Sequence, residues 1–408
     1  MTDDNEFNED PSVRSAWSLD PDVVMLNHGS FGASPRVVMD RQQELRRQME
    51  LEPVRFFLRE MQPLLDESRG ALARLIGADE SDVVFVRNAT SGVNGVLRSL
   101  HFRTGDELLV TDHDYNACRN VVRHVAERAE ARVVVAHVPV PVESKQQVVD
   151  AVLGRVTDRT RLVVLDHITS PTAVVFPVEP IVHALSARGI DTLIDGAHAP
   201  GMVPLDMRRL QAAYYTGNCH KWLCAPKGAG LLYVRKDRQQ EIQPAVISHG
   251  YNTPRPGRSR FQDMFDWTGT DDPTPWLCVG EAIRFLETLA DGGISALMRR
   301  NHRLAVLGRR MLIESLQLTP LCPEEMIGAM AALRLPDDRD PTGSLDTSTS
   351  LTPTHRLNIE LLDRHGIEVP VFHWPAPPEK LLRISAQAYN RPAEYERLAA
   401  ALRELLSR

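Results

Sequence analysis

The chain has 408 residues, 43% of them hydrophobic and 25% charged, and a formal net charge of -7 at pH 7. A chain of this length outgrows a single hydrophobic core, so we expect two structural units. The negative charge gives no general attraction to nucleic acid or anionic membranes, and no segment has the apolar run of a membrane span, so we expect a cytoplasmic protein with small-molecule partners.

The elements of the larger unit are predicted from apolar periodicity. An amphipathic helix is predicted over residues 57–76, where Phe57, Met61 and Leu65 share one face. Beyond it, short apolar runs alternate with amphipathic stretches, which predicts a mostly parallel sheet with helical crossovers, buried on both faces. The predicted strands cover residues 83–87, 107–110, 132–138, 161–166, 191–195, 213–216 and 230–235, and the predicted helices between them cover 117–129 and 178–188.

A smaller α/β unit is predicted in the C-terminal part. Helical patterns cover residues 275–290, 294–317 and 392–407, and short strands lie near 329–335, 367–373 and 381–386. We place the boundary within the helix near 285–295, which divides the chain into an N-terminal segment (1–35), a large domain (36–288) and a small domain (289–408). The N-terminal segment is expected to contribute to the active site and to the small domain. The stretch 336–353, rich in Asp, Pro, Ser and Thr, is predicted to be a loop inside the small domain.

The five cysteines are an odd number without the spacing of a disulfide framework or a zinc site. The closest pair, Cys219 and Cys224, has no second pair to complete four ligands. We therefore predict reduced thiols and no metal site.

Two residues at the ends of predicted strands carry the main chemical signal. Asp195 ends an apolar strand in DTLIDGAHAPG (191–201), at the sheet edge where ligands bind in α/β folds. Lys221 follows the next strand, in TGNCHKWLCAPKGAG (216–230). A lysine beside a buried carboxylate suits Schiff-base chemistry, because burial and neighbouring cations lower the pKa of its amine. Either residue alone would suggest a surface charge or a helix cap; together they predict an active site.

A third signal is NATSG at residues 88–92, between a predicted strand and a helical stretch. Backbone N–H groups at a helix start, with the hydroxyls of Thr90 and Ser91, form a ready phosphate site. A helix cap would look similar, so this motif indicates a phosphate site only in combination with Asp195 and Lys221.

These three motifs, in this order, resemble the class V aminotransferase family, whose members have fold type I and use pyridoxal 5'-phosphate. The resemblance covers nearly the whole chain. It implies an α/β fold with a mostly parallel seven-stranded sheet in a large domain, and a smaller C-terminal α/β domain. It also implies that Lys221, which follows His220, binds the cofactor covalently and that Asp195 pairs with the pyridine nitrogen.

The same resemblance implies further contacts around the cofactor. His198 matches a position that contacts the cofactor ring or its phenolic oxygen. Thr90, after Ala89, matches the phosphate-binding loop, with His220 close to it.

The residue that stacks on the cofactor is identified less directly. In TDHDYNA (111–117), Tyr115 matches the stacking position of the family, and His113 is the competing choice. In LDHITS (165–170), His167 is either a contact near the phenolic oxygen or a structural residue.

Two other matches concern the substrate and a partner subunit. Arg383, in LLRISAQAYN (381–390), matches the arginine that binds the substrate α-carboxylate through a bidentate fork; the alternative is a surface ion pair. Thr270, in WTGTDD (267–272), matches a residue that reaches the phosphate in the neighbouring subunit. The resemblance thus implies a homodimer with shared active sites.

Two N-terminal segments, LNHGSFGASP and EPVRFFLRE, look most like the isopenicillin N epimerase branch of the family. They make Asn27, His28, Arg55 and Phe56 candidates for the substrate end of the pocket. The alternative is a structural turn followed by a packing helix.

The loop 251–263 carries three arginines, Arg255, Arg258 and Arg260. They would either admit an anionic substrate or form a solvated charged surface.

Epimerisation, C–S β-elimination and transamination all begin with removal of the α-proton, for which Lys221 is the base. Epimerisation is the leading interpretation; a C–S β-lyase acting on a cysteine conjugate, or an aminotransferase, is the alternative. Epimerisation needs an acid on each face of the substrate, and Tyr115, His113 or a bound water are the candidates opposite Lys221. A cysteine desulfurase is disfavoured, because residues 365–382 lack the thiol that such an enzyme needs.

Two other protein classes fit the sequence poorly. A Rossmann dehydrogenase should show G-x-G-x-x-G after the first core strand, where this chain has NATSGVNG. A binding protein without turnover would have no need to keep Lys221, Asp195, His198 and Arg383 together.

Overall fold

The N-terminal region is tied to the C-terminal part of the chain. The computed structural model describes residues 11–340, 345–346 and 354–407. Its first elements are α1 (Pro11–Ser15), β1 (Val24–Met25), α2 (His28–Phe31), α3 (Arg36–Leu51), α4 (Pro53–Arg55) and α5 (Met61–Leu75), with a π-helical turn at Phe56–Glu60. Strand β1 pairs in parallel with a strand near the end of the chain, with Val24 opposite Ile367 and Met25 opposite Glu368.

The central part alternates strands and helices. Its elements are β2 (Val83–Val86), α6 (Ala89–Ser99), β3 (Glu107–Thr111), α7 (Asn116–Arg128), β4 (Arg132–Ala136), α8 (Lys145–Leu153), β5 (Thr160–Asp166), α9 (Val178–Ser186), β6 (Asp191–Gly196), α10 (Met207–Leu210), β7 (Tyr214–Asn218) and β8 (Gly230–Val234). The seven strands form one sheet in the order β2-β8-β7-β6-β5-β3-β4. Strands β3 to β7 are parallel, and β8 is antiparallel to both of its neighbours.

This sheet is buried on both faces. Along β5, Val163 and Leu165 belong to one buried apolar cluster, whereas Leu162 and Val164 belong to another. Successive side chains of a strand point to opposite faces, so the two clusters lie on either side of the sheet. The nearly continuous apolar runs of the sequence are therefore explained by helices that cover both faces.

The remaining elements form the C-terminal α/β part. They are α11 (Arg260–Asp266), α12 (Thr274–Leu277), α13 (Val279–Glu287), α14 (Gly293–Leu316), β9 (Met330–Leu335), β10 (Leu345–Asp346), β11 (Thr354–His355), α15 (Arg356–His365), β12 (Ile367–Glu368), β13 (Val371–His373), β14 (Lys380–Ser385) and α16 (Pro392–Leu406). Strands β13, β14 and β9 form an antiparallel sheet in that order. Strand β12 is the partner of β1.

The predicted fold class is confirmed: the structure is α/β with a mostly parallel seven-stranded sheet. All seven predicted strands are present, with ends within two residues of the prediction. The predicted strand 367–373 is divided into β12 and β13, because Pro370 lies between them and has no N–H to donate. Helices α1, α2, α3, α8, α10, α11 and α15 were not predicted, since their sequences are polar or short.

Part of the predicted loop 336–353, namely 341–344 and 347–353, lies outside the described residues. The domain limits at residues 35 and 288 stay predictions. Within the described part of the chain, no helix is both long and apolar enough to cross a bilayer.

Candidate active site

A cleft of about 210 Å³ lies at the carboxyl ends of β5, β6 and β7. It is lined by Ser30, Phe31, Asn88, Ala89, Thr90, Tyr115, Asp166, Ile168, Ser170, Asp195, Ala197, His198, Asn218, His220 and Lys221. In a parallel sheet the strand ends meet at one edge, so residues far apart in sequence are brought to the same place. The cleft therefore contains the three motifs that the sequence singled out.

Lys221 lies in the loop after β7, partly buried at the cleft wall. Its Nζ is 3.3 Å from Nε2 of His198, which follows β6. Burial, helped by the positive charge of Arg383, lowers the pKa of the Lys221 amine to about 7. Burial also lowers the pKa of His198 well below its usual value, so its ring is neutral and can accept a hydrogen bond from the ammonium. At neutral pH a substantial fraction of Lys221 is the unprotonated, nucleophilic amine.

Asp195 ends β6 and is 3% exposed. Its Oδ1 accepts the backbone N–H of Ala197 at 2.9 Å, and its Oδ2 accepts the thiol of Cys118 at 2.9 Å. Burial raises the pKa of the Asp195 carboxyl, which is the usual cost of removing a carboxylate from water. A positively charged partner in the cleft would offset that cost.

Asp166 is a second buried carboxyl group at the strand ends. It is the residue of β5 aligned with Asp195 on β6. Burial and then the negative charge of Asp195 raise the pKa of Asp166 well above its usual value. The two neighbouring carboxyl groups, Asp166 and Asp195, therefore bind protons at a higher pH than carboxyl groups in water do.

The opposite end of the cleft is the N-terminus of α6. Asn88 caps this helix by accepting the backbone N–H of Ser91 at 2.9 Å. The N–H of Ala89 is bound to the side chain of Asn218 at 2.8 Å. Thr90 lines the cleft beside them. A helix N-terminus with polar side chains around it is suited to binding a phosphate group.

His220 stands next to this end. Its Nδ1 is 2.9 Å from the carbonyl oxygen of Ala229, which can only accept, so Nδ1 carries the proton of the neutral ring. Burial lowers the pKa of His220 to about 4.

The structure separates the two candidates for the stacking residue. Tyr115 lines the cleft and is 46% exposed. His113 is fully buried, with its ring nitrogens 2.8 Å from the hydroxyl of Thr172 and 3.0 Å from the carbonyl oxygen of Val138. His113 is outside the lining of the cleft, which leaves Tyr115 as the side chain that can stack there.

His167 lies behind the cleft rather than in its wall. Its Nδ1 is 2.9 Å from the hydroxyl of Tyr215, and burial lowers its pKa to about 4. These contacts fit the structural alternative for His167. The residue before it, Asp166, is the one that lines the cleft.

Arg383 on β14 reaches the large domain from the C-terminal part. Its guanidinium donates to the carbonyl and hydroxyl oxygens of Ser170, at 2.7 and 3.1 Å, and to the hydroxyl of Ser30 at 3.1 Å. It is 4% exposed and, within the described ranges, has no carboxylate partner; its Nε has no hydrogen-bond partner either. Burial lowers the pKa of Arg383 to about 10. The predicted alternative of a surface ion pair does not fit this environment.

The four predicted substrate contacts in the N-terminal segments lie outside the cleft lining of their own chain, and their substrate role stays a prediction. Asn27 donates to Glu368 at 2.7 Å, and His28 is fully buried against the backbone of Lys221. Arg55 is exposed and paired with Glu60 at 2.7 Å. Phe56 is fully buried in the apolar core. Among the described residues that line the cleft, the N-terminal segment contributes Ser30 and Phe31 instead.

Thr270 is exposed and lies outside the cleft lining of its own chain. The arginines of the 251–263 loop serve mainly as internal partners. Arg255 and Arg258 bind Asp263 and Asp266, at 2.6 and 2.8 Å respectively. Arg260 packs over the ring of Tyr251, 4.8 Å from its centroid. The predicted reading of this loop as an anion entrance is therefore not supported for Arg255 and Arg258, which already have carboxylate partners.

Sequence reasoning missed Asp166, Ser170 and Asn218, although each follows or ends a predicted strand. The rule that strand ends carry ligand-binding residues would have found all three. Ser30 and Phe31 had no such signal, because only the return of the N-terminal segment to the cleft places them there.

These residues fit pyridoxal phosphate. Lys221 offers an amine of lowered pKa, Asp195 offers a buried carboxylate for a ring nitrogen, and the start of α6 offers a helix N-terminus with Thr90 in the cleft lining for a phosphate. The Nδ1 atom of His198 is buried without a hydrogen-bond partner among the described residues, as expected where a ligand completes the site.

The family model described as Aminotransferase class-V matches residues 31–329. The chain is 37% identical to the isopenicillin N epimerase of Amycolatopsis lactamdurans, over 97% of this chain and 98% of that protein. It is 35% identical to the isopenicillin N epimerase of Streptomyces clavuligerus, over 96% of each chain. It is 31% identical to a putative L-cysteine desulfhydrase of Oryza sativa subsp. japonica, over 94% of this chain and 83% of that protein.

The fold is also similar to that of solved structures. The cystine C–S lyase C-DES in complex with cysteine persulfide has a TM-score of 0.78 at 21% identity, and covers 94% of this chain and 97% of its own. A mutant of C-DES with glycine covalently linked to the pyridoxal phosphate cofactor has the same TM-score, 0.78. The matching family and the full-length relatives indicate the same class of protein as the lysine and the aspartate at the strand ends do. The chain is a member of the class V aminotransferase family, with fold type I, and is an enzyme that depends on pyridoxal phosphate.

Proposed function

We propose that this enzyme inverts the configuration of an amino-acid α-carbon, with the substrate α-carboxylate held by Arg383 and the α-proton moved by Lys221. The observation that carries the proposal is the state of Arg383, a buried guanidinium that has no carboxylate partner among the described residues. Its hydrogen-bond partners Ser30 and Ser170 line the same cleft as Lys221. A carboxylate that arrives with the substrate would pair this charge and fix the orientation of the α-carbon.

The chain's own groups then have distinct tasks. What the cofactor supplies when bound is electron withdrawal from the α-carbon, which makes the α-proton acidic. Asp195 holds a proton on the ring nitrogen by presenting a buried negative charge to it. Lys221, with a pKa of about 7, can take the α-proton and return it.

Inversion needs a second proton-transfer group on the face opposite Lys221. Tyr115 lines the cleft, and burial raises the pKa of its phenol, so it retains its proton at neutral pH. His113 is unsuitable, because it lies outside the cleft lining with both ring nitrogens engaged. We therefore assign this role to Tyr115, with a bound water as the alternative donor.

The relatives support inversion over elimination. The two isopenicillin N epimerases, at 37% and 35% identity, are more similar to the chain than the putative cysteine desulfhydrase at 31% identity. We accordingly propose isopenicillin N, or an amino acid with a similarly extended side chain, as the substrate. A C–S β-lyase or an aminotransferase remains the alternative function, since it would use the same first proton transfer. A persulfide-forming desulfurase is disfavoured, because none of the five buried cysteines lines the cleft.

The test is incubation of the purified enzyme with isopenicillin N or L-cysteine in heavy water. We expect deuterium at the α-carbon together with inverted configuration for the extended substrate, and no pyruvate. Tyr115→Phe should keep deuterium incorporation in the starting configuration while inversion falls. Formation of pyruvate, ammonia and sulfide from L-cysteine without any inversion would establish the lyase alternative instead.

We propose, in addition, a cytoplasmic homodimer in which Thr270 reaches the partner's phosphate site, with no nucleic-acid or membrane partner. Exposed apolar side chains support an interface: Leu51, Val54 and Leu58 are 66–78% exposed. All five cysteines are free thiols, which suits a reducing compartment. Sedimentation of the loaded enzyme would measure the assembly directly.

A further inference from the structure

The short helix α2 contacts both ends of the proposed reaction site. On one side, Nε2 of His28 is 2.9 Å from the backbone carbonyl oxygen of Lys221. On the other side, the hydroxyl of Ser30 accepts a hydrogen bond from Arg383 at 3.1 Å. The lysine and the arginine belong to different parts of the fold, and this one turn lies between them.

The protonation of His28 follows from its partners. A carbonyl oxygen can only accept, so Nε2 carries the proton and donates to Lys221. The other nitrogen, Nδ1, must then accept the hydroxyl hydrogen of Tyr389, 2.8 Å away. The ring is fully buried, and its burial lowers the pKa of His28 to about 3, so it keeps this neutral form throughout the physiological range.

The turn is also packed directly on the lysine loop. Gly32 has a φ of +69°, and a Cβ atom there would lie 2.0 Å from the carbonyl oxygen of His220 and 2.9 Å from Cα of Lys221. Ser34 donates its hydroxyl hydrogen to the carbonyl oxygen of Ala225 at 3.0 Å. The backbone around Lys221 is therefore held by contacts from residues 28–34 and not by its own loop alone.

The arginine side is held by a connected set of hydrogen bonds. Ser30 donates to the side-chain oxygen of Asn27 at 2.5 Å, which leaves its lone pairs free to accept from Arg383. The N–H of Gly29 donates to the hydroxyl of Ser385 at 3.1 Å, and Ser385 lies on the same strand as Arg383. Asn27, predicted as a substrate contact, is the acceptor of the Ser30 hydroxyl in this set.

We propose that His28 is a positioning residue for Lys221: by holding the lysine carbonyl, it sets the direction in which the amine enters the cleft. Through Ser30, the same turn sets the position of Arg383 relative to that amine. The inference rests on the proposed roles of Lys221 and Arg383 and adds the element that joins them.

The test measures how fast the cofactor-free protein takes up pyridoxal phosphate, followed by absorbance, and how much cofactor borohydride traps on Lys221, located by mass spectrometry. We expect His28→Leu to slow uptake on the order of tenfold or more, because a misdirected amine meets the cofactor poorly. His28→Gln, whose amide can donate to the same carbonyl, should recover most of the rate. Tyr389→Phe removes only the hydroxyl that binds Nδ1 of His28, so it should also slow uptake, but by less.

His113→Leu is the matched control for loss of stability. His113 is equally buried and also binds one hydroxyl and one backbone carbonyl, at 2.8 and 3.0 Å, but lies outside the cleft lining. It should lower the thermal midpoint without changing the uptake rate. Ser30→Ala should instead raise KM for the substrate and leave uptake unchanged.

Equal uptake by wild type and by both His28 variants would overturn the proposal, as would a rate in His28→Gln as low as in His28→Leu. If His28→Leu does not fold, Tyr389→Phe decides the same question, and uptake by this variant at the wild-type rate would overturn the proposal. A wild-type protein that takes up no cofactor would overturn the proposed function itself, which is a different result from unequal uptake among the variants.

Discussion

Between α5 and α11, three arginines meet three aspartates: Arg69, Arg255 and Arg258 face Asp66, Asp263 and Asp266. Beside the cleft, by contrast, Arg383 is buried with serine oxygens as its hydrogen-bond partners. In the cleft, the amine of Lys221 has one hydrogen-bond partner among the described residues, a neutral histidine at 3.3 Å. Both regions place charge away from water, but only the first balances it internally.

The difference indicates which region is completed by a ligand. A buried charge is costly unless it is paired, so a fold that leaves one unpaired gains nothing in stability from doing so. The network between α5 and α11 is accounted for by structure alone. The unbalanced groups of the cleft are accounted for when an anionic cofactor and a substrate carboxylate enter.

The largest expected effect comes from removing the amine of Lys221. Lys221→Ala should remove the absorbance of the lysine-bound cofactor and lower turnover by about 10³-fold or more, because both the attachment point and the base are lost. Lys236→Ala, at an exposed lysine, should leave both unchanged. Wild-type turnover in Lys221→Ala would refute the assignment.

The next largest effect is expected in the ion-pair network between α5 and α11. Asp266 accepts from Arg69 at 2.5 Å and from Arg258 at 2.8 Å. Asp266→Ala should lower the free energy of unfolding by about 3–5 kcal/mol, because it leaves buried guanidinium groups uncompensated. Urea unfolding followed by circular dichroism measures this loss.

The control for that loss is an exposed pair. Asp237 binds Arg235 at 2.6 Å with a side chain that is 52% exposed. Asp237→Ala should cost no more than about 1 kcal/mol, since solvent screens such pairs. Equal losses at the two sites would contradict the distinction between the two regions.

The smallest effect on stability is expected at Arg383, the buried charge without a carboxylate partner among the described residues. Arg383→Met should raise KM about 100-fold, because the substrate carboxylate loses its fork. It should not lower the free energy of unfolding, and a gain of about 1 kcal/mol is expected from removing an unpaired buried charge. A large loss of stability would mean that Arg383 is structural.

The same variant changes the pH dependence of Lys221. Arg383 lowers the pKa of the lysine amine, so its removal favours the protonated form and raises that pKa above about 7. The neutral amine reacts with the cofactor, so the pH midpoint of cofactor uptake should move upward in Arg383→Met. An unchanged midpoint would show that burial alone lowers the pKa of Lys221.

Much of the large sheet and its strand-end residues could be predicted, because parallel strands buried on both faces leave apolar runs in the sequence. Asp195 and Lys221 follow such runs, and the topology then brings them to one edge. The predicted substrate roles of His28 and Arg55 rest on the family resemblance alone, and neither side chain lines the cleft. His28 lies against Lys221 and Arg55 lies on the surface only through packing across the chain.

The sequence by itself determined the fold class and the family, and it predicted the residues of the cofactor site, since these follow from local pattern and order along the chain. Only the tertiary structure decided which charges remain unpaired, which histidine faces the cleft and how residues 27–34 join Lys221 to Arg383. The physical reason is that burial and pairing depend on contacts between distant segments, such as the 193 positions that separate His28 from Lys221.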